Sequence, residues 1–115
     1  MIYYSDHGEN LRTGHSPGDH DFVKACIPMF VYLDKEYQIS NSENYRQLLS
    51  NKDAFFINDM VYNTLSGILD AESNFCDKRE DMSSPGYGYQ VEDLWTFART
   101  VRVADDPMLK KEENQ

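Results

Sequence analysis

A chain of 115 residues has room for one domain with one hydrophobic core. Asp and Glu outnumber Lys and Arg by 20 to 11, and the formal charge of −9 excludes a protein built to grip nucleic-acid phosphates. Eight Tyr, six Phe and one Trp argue against a disordered chain, and no apolar stretch approaches the ~20 residues of a membrane-spanning helix.

Met1-Ile2-Tyr3-Tyr4 is apolar and β-prone from the first residue and stops at Ser5-Asp6-His7-Gly8-Glu9. A short unbroken apolar run ending in polar residues and Gly predicts a buried parallel strand. A central strand at the very start of the chain points to truncation. The N-terminus also lacks the basic and apolar regions of a secretory leader. Residues 8–21, rich in Gly, Asp, His and Ser, read as a loop. Ala25 to Leu33 (ACIPMFVYL) predicts a second buried strand, a parallel neighbour or near neighbour of the first, with Pro28 close to its start where a missing N–H is tolerated.

Asp34 to Asn41 is polar. Ser42 is a candidate helix cap, with Tyr45, Leu48 and Leu49 forming an apolar face at helical spacing. A further helix is expected over 58–69: Asn58 can cap it, Asp59 suits the positive end of its dipole, and Val61, Leu65, Ile68 and Leu69 repeat on one face. Phe55, Phe56 and Ile57 stand ahead of that cap, placed to staple it to the core. Residues 71–93 read as loop, and 94–103 (LWTFARTVRV) return to a strand-like pattern. Asp105 to Gln115 reads as a polar tail in which Lys110-Lys111 is offset at once by Glu112 and Glu113. Cys26 and Cys76 form no CxxC and are expected as two buried thiols rather than a disulfide or a metal pair. The order of elements is α/β, with too few strands for a self-sufficient sheet.

Two groups of residues could carry chemistry. In open α/β sheets ligands bind beyond the carboxyl ends of strands, so the turn Ser5-Asp6-His7-Gly8-Glu9 is placed to project into a site. Leaving the strand at Gly8 would let a carboxylate and an imidazole converge, and both are suitable zinc ligands. The plainer alternative is a polar turn in which Asp6 caps a helix and His7 is merely exposed. The second group is Thr13-Gly14-His15-Ser16-Pro17, a tight loop that could return His15 toward the strand end to meet a metal or a phosphate oxygen. An exposed loop histidine is the alternative there, and His20 reads as surface.

Taken in order, the apolar strand, SDHGE, the GH-x-P loop and the IPMFVYL strand resemble the C-terminal signature of phosphoethanolamine transferases of the alkaline phosphatase/sulfatase superfamily. Phe56-Ile57-Asn58-Asp59-Met60-Val61, continuing to Leu65, Gly67 and Ile68, resembles the helix that follows in that family. Asp77 to Tyr87, with Asp81, Ser83 and Ser84, resembles its closing loop. The likeness spans roughly residues 2–90 and is most specific at 5–9.

The resemblance implies a mostly parallel sheet with flanking helices, incomplete in this chain, with 1–104 as the C-terminal part of a sulfatase-like catalytic domain and 105–115 as a tail. In such enzymes a zinc-activated Thr takes phosphoethanolamine from a phospholipid donor and passes it to lipid A or a core sugar, from a periplasmic domain anchored in the inner membrane. On this mapping Asp6 and His7 match metal ligands, His15 matches a phosphoryl-contacting residue, and Glu9 supports the site from behind. The loop between His7 and His15 is shorter than in the better-known members. The nucleophile Thr and a ligand Glu lie upstream of these motifs in the family, and only five residues precede Asp6 here. Thr13, Thr64, Thr96 and Thr100 match no nucleophile position. The chain alone is therefore expected to be inactive, to depend on the missing N-terminal part of the same domain, and to self-associate through open strand edges. A sulfatase- or phosphatase-type hydrolase and a non-catalytic acidic interaction module are the alternatives.

Overall fold

Strand β1, Ile2–Tyr4, pairs antiparallel with β2, Met29–Val31, in the register Ile2↔Val31, Tyr3↔Phe30 and Tyr4↔Met29. The pairing extends one residue further, through Met1 N to Tyr32 O at 2.7 Å and Tyr32 N to Met1 O at 2.8 Å. The computed structural model describes residues 1–12, 14, 21–96, 98–107 and 109. The chain divides into two units, Met1–Leu33 with Trp95–Gln115, and Asp34–Leu94.

The antiparallel pairing overturns the expected parallel neighbours. Its cause lies in the connection. Gly8 N donates to Lys24 O at 2.6 Å, so the chain comes back to the end of β1 that it has just left. The helix between, α1 (Phe22–Ala25), is a single turn capped by Asp21, whose Oδ1 accepts from Val23 N at 2.9 Å. It is too short to carry the chain back along the sheet, as a parallel crossover requires. A strand starting four residues later can only run the other way.

Nor is the strand pair buried. Tyr3 and Phe30 stack on the outward face with ring centroids 5.7 Å apart, and both are more than half exposed. Only Met29–Val31 of the expected 25–33 stretch forms strand, and Ala25 is the last residue of α1.

The expected late strand is a hairpin of two short ones, β3 (Trp95–Thr96) and β4 (Val101–Arg102). Ala98 and Arg99 turn the chain with φ of 52° and 62°, a left-handed conformation that costs non-glycine residues free energy. The Arg102 guanidinium sits 5.1 Å from the centroid of the Trp95 ring, a cation–π contact across the pair. Val103–Asp105 then closes a 3₁₀ turn, and Asp106, within the expected polar tail, is buried.

In the second unit, α2 (Lys35–Ser40) occupies the stretch read only as polar. Asp34 caps it, accepting from Tyr37 N at 2.8 Å. Helix α3, Ser42–Ser50, follows, with Asn41 rather than Ser42 at the cap position. The expected 58–69 helix is a 3₁₀ turn, Asn58–Met60, running into α4, Val61–Ile68.

The face that α4 buries is Asn63, Thr64, Gly67 and Ile68, largely polar, and the segment 77–83 satisfies it. Thr64 Oγ1 donates to Glu80 O at 3.3 Å and accepts from Met82 N at 3.1 Å. Asn63 accepts from Asp77 N at 2.8 Å and donates to Glu80 Oε2 at 2.7 Å. Met60, Ile68, Met82 and Leu94 are the buried apolar side chains among the described residues. Every buried side-chain nitrogen and oxygen among the described residues is paired, as a polar core requires.

Candidate functional site

The site begins where β1 ends. Ser5 Oγ donates to His7 O at 2.7 Å, and His7 N donates to Asp6 Oδ1 at 3.1 Å, so the turn folds on its own side chains. The Asp6 carboxylate and the His7 ring therefore lie on the same side of the chain, with Oδ2 4.0 Å from Nε2. The His7 ring is further held by Nδ1, 2.8 Å from Gly8 O. A carbonyl oxygen can only accept, so Nδ1 carries the proton. In the neutral ring the lone pair is then on Nε2, the atom nearer Asp6. A carboxylate and an imidazole nitrogen facing each other in this tautomer are a donor pair suited to zinc.

Distance allows it. Two atoms each about 2.0–2.1 Å from one zinc stand no more than about 4.2 Å apart, and about 3.4 Å apart at the tetrahedral angle. The observed 4.0 Å closes to that with a small rotation of Asp6, whose side chain is 87% exposed. Two donors alone do not make a zinc site. A tetrahedral site takes three or four protein ligands. Among the described residues no third His, Cys, Asp or Glu joins the two into a group able to hold a metal ion. The described residues thus fit zinc in kind but not in number.

Of the other residues singled out, Glu9 is exposed at the end of the turn, and His15 lies outside the described residues, as do His20 and Thr13. The two cysteines are free, but the expected burial is wrong: Cys26 is exposed and Cys76 half-buried. Both sit at the margins of short helical elements rather than in a packed core.

The turn has a support that hydrophobic periodicity does not reveal, the helix α1. Asn10 Nδ2 donates to Asp21 Oδ2, and Asp21 caps α1, while Gly8 docks against the last carbonyls of that helix. Asp21 ahead of Phe22-Val23-Lys24 is a legible cap signal. It was masked by the polar composition of 8–21 before it and the apolar run after it.

The segment likened to a closing loop is ordered by its own short-range contacts. Asp81, almost wholly buried, accepts from Ser83 N at 2.8 Å and Ser83 Oγ at 2.5 Å, with Lys78 Nζ 3.5 Å from its other oxygen. Arg79 bonds the exposed Asp77 carboxylate and holds its pKa below the ordinary value. Burial pushes the Tyr87 hydroxyl up to about 12, and it donates to Phe55 O.

No helix among the described residues is long and apolar enough to cross a membrane. Compared with protein-family models, with curated proteins and with solved structures, the chain finds no match.

Proposed function

We propose that this chain is the C-terminal part of a metal-dependent phosphoethanolamine transferase of the sulfatase-like kind, holding one side of its metal and phosphate site and lacking the nucleophile. The observation that carries the reading is the Asp6–His7 pair: two donors of the right kind, on the same side of the turn that leaves β1, within the span of one zinc ion. The Ser5-Asp6-His7-Gly8-Glu9 sequence and the residues that resemble the family's later helix and loop support it from the sequence side. On this reading His15 contacts the phosphoryl group and Glu9 backs the metal ligands. The remaining ligand and the nucleophilic Thr come from an upstream part of the same domain. The donor is a phospholipid, the acceptor lipid A or a core sugar, and the working enzyme sits at the inner membrane with its catalytic domain in the periplasm. On this reading the antiparallel β1–β2 pair belongs to a mixed sheet, since an antiparallel strand at the edge of a parallel sheet is common.

The same pairing favours a second reading, a non-catalytic acidic α/β module built on two small antiparallel sheets. Zinc titration of the full chain separates the two. The transferase reading expects weak uptake, far short of the about 10–16 kcal/mol of a complete structural site, lost in Asp6→Ala and in His7→Ala. Zinc that leaves the Asp6 and His7 resonances unmoved supports the module instead. Metal-dependent turnover of p-nitrophenyl phosphate, abolished by His7→Ala, would show that the chain completes its own site and is no fragment.

A further inference from the structure

Helix α4 turns its polar side inward. Asn63, Thr64 and Gly67 are buried, while Tyr62, Leu65 and Leu69, at the spacing i, i+3 and i+7, line the opposite side. Tyr62 is half-exposed and Leu69 is 72% exposed. Beyond Leu69 the chain folds back on the helix end. Ala71 N donates to Ser66 O at 2.8 Å, and Cys76 Sγ lies 3.8 Å from Ala71 O. This return keeps Phe75, 85% exposed, near the same end of α4.

The charge at that end runs against the helix. Asp70 and Glu72 follow α4, its last turn holds no Lys or Arg, and neither carboxylate forms an ion pair among the described residues. The C-terminal end of a helix dipole is negative and favours cations, so both acids stand where they are least welcome. Asp70 carries a second cost. Its φ of 52° is the left-handed conformation that a helix end usually gives to glycine. The surrounding unit, Asp34–Leu94, has twelve Asp and Glu against five Lys and Arg, so it holds −7 of the chain's −9. An exposed apolar stripe thus ends in negative charge that the chain does not neutralise.

We propose that this side of α4 docks a basic amphipathic helix of a partner protein. The partner's apolar side covers Tyr62, Leu65 and Leu69, and its Lys or Arg side chains meet Asp70 and Glu72. Apolar anchors at helical spacing with opposite charge beside them are how such helices are recognised. A second copy of this chain is a poor occupant, because it would set one unit of −7 against another. The surface requires no metal and is independent of what Asp6 and His7 hold.

The test uses the full chain and, as the probe, a synthetic helix of about 18 residues made of Leu and Lys, with Leu at helical spacing. Amide shifts locate the peptide, and anisotropy of a labelled copy gives its affinity. Shifts should centre on residues 62–75. Leu69→Ser should weaken binding at least about tenfold, as the loss of a buried leucine does. Asp70→Gly should weaken it a few-fold and flatten its salt dependence, yet raise the urea midpoint of the free chain, because glycine adopts this φ freely. Both side chains are exposed, so both variants should fold. Phe30→Ser, at an exposed apolar residue of the other unit, should leave affinity unchanged. The proposal fails if millimolar peptide leaves the Leu65, Leu69 and Asp70 amides unmoved, if a peptide with Glu in place of Lys binds equally well, or if Phe30→Ser costs as much as Leu69→Ser. It fails too if the same amides shift with protein concentration alone, which assigns the surface to a second copy, or with phosphatidylcholine vesicles alone, which assigns it to lipid.

Discussion

The Tyr37 hydroxyl donates to the Ile68 carbonyl at 2.6 Å and so ties α2 to the last turn of α4, thirty-one residues away. Asn44 does the same from α3, donating to Gly67 O at 2.9 Å, so two helices bond the carbonyls at one helix end. Tyr37→Phe keeps the ring and removes the hydroxyl with its bonds to Ile68 O and to the Asn44 side chain. It should cost about 0.5–1.5 kcal/mol, read as a lower urea midpoint with unchanged m-value. An unaltered midpoint would mean that water replaces the phenol at no cost.

Thr64 is the more demanding position. It is 1% exposed, and its single hydroxyl serves both Glu80 O and Met82 N. Thr64→Val preserves shape but leaves a buried amide and a carbonyl without a partner, at a cost of about 1–3 kcal/mol. Thr64→Ser retains the hydroxyl and should lose less. If valine proved as stable as threonine, the segment 77–83 would not be held by this bond.

Gly67 sets two effects against each other. Alanine in a helix interior gains about 0.8–1 kcal/mol over glycine in propensity. Here, however, the new Cβ would overlap the Asp81 carboxylate, which is buried and fixed by Ser83. Overpacking of this kind costs about 1–3 kcal/mol, so Gly67→Ala should destabilise the fold on balance. In a double-mutant cycle with Asp81→Ala the two losses should be less than additive. Strict additivity would show that the clash is not felt.

Tyr87 gives stability an alkaline limit. Its pKa is raised from the model-peptide value of 10.0 to about 12, first by burial and then by the neighbouring Tyr89. A folded state that holds the neutral phenol is favoured fully below pH 10. That advantage falls away between about pH 10 and 12, where the unfolded chain ionises and the folded one does not. Thermal midpoints should therefore drop across this window. Tyr87→Phe should flatten the drop, although it also loses the bond to Phe55 O at neutral pH. An identical alkaline slope in the variant would assign the effect to other groups.

Periodicity located α3 and α4 well, because Tyr45, Leu48 and Leu49, and Val61, Leu65 and Ile68, recur at helical spacing. It could not say which face is buried. Leu69 fits the apolar repeat and is 72% exposed, while Asn63 and Thr64 are buried because residues 77–82 bond them. Strand direction was illegible for a similar reason. An apolar run says that Ile2–Tyr4 is extended, but the antiparallel return depends on Gly8 meeting Lys24, a contact between residues sixteen apart in sequence. Within the site, the convergence of Asp6 and His7 follows from local turn geometry and could be read ahead. The support from α1 is long-range and could not. Helix α2 is illegible in the sequence because Tyr37 and Ile39 alone give too little periodicity, and its cap Asp34 stands in a polar stretch.

The Arg102–Trp95 contact has a practical consequence. Trp95 is the single tryptophan of the chain and belongs to the unit formed by the two ends of the sequence. Its emission, quenched or shifted as the cation leaves the ring, reports on that unit alone. The tyrosines whose hydroxyls are held up, Tyr37, Tyr87 and Tyr89, all belong to the central unit, so the late tyrosinate absorbance on raising the pH reports on it. Two optical signals, recorded on one sample without any label, thus distinguish a chain that melts in one step from one whose halves part company at different denaturant concentrations.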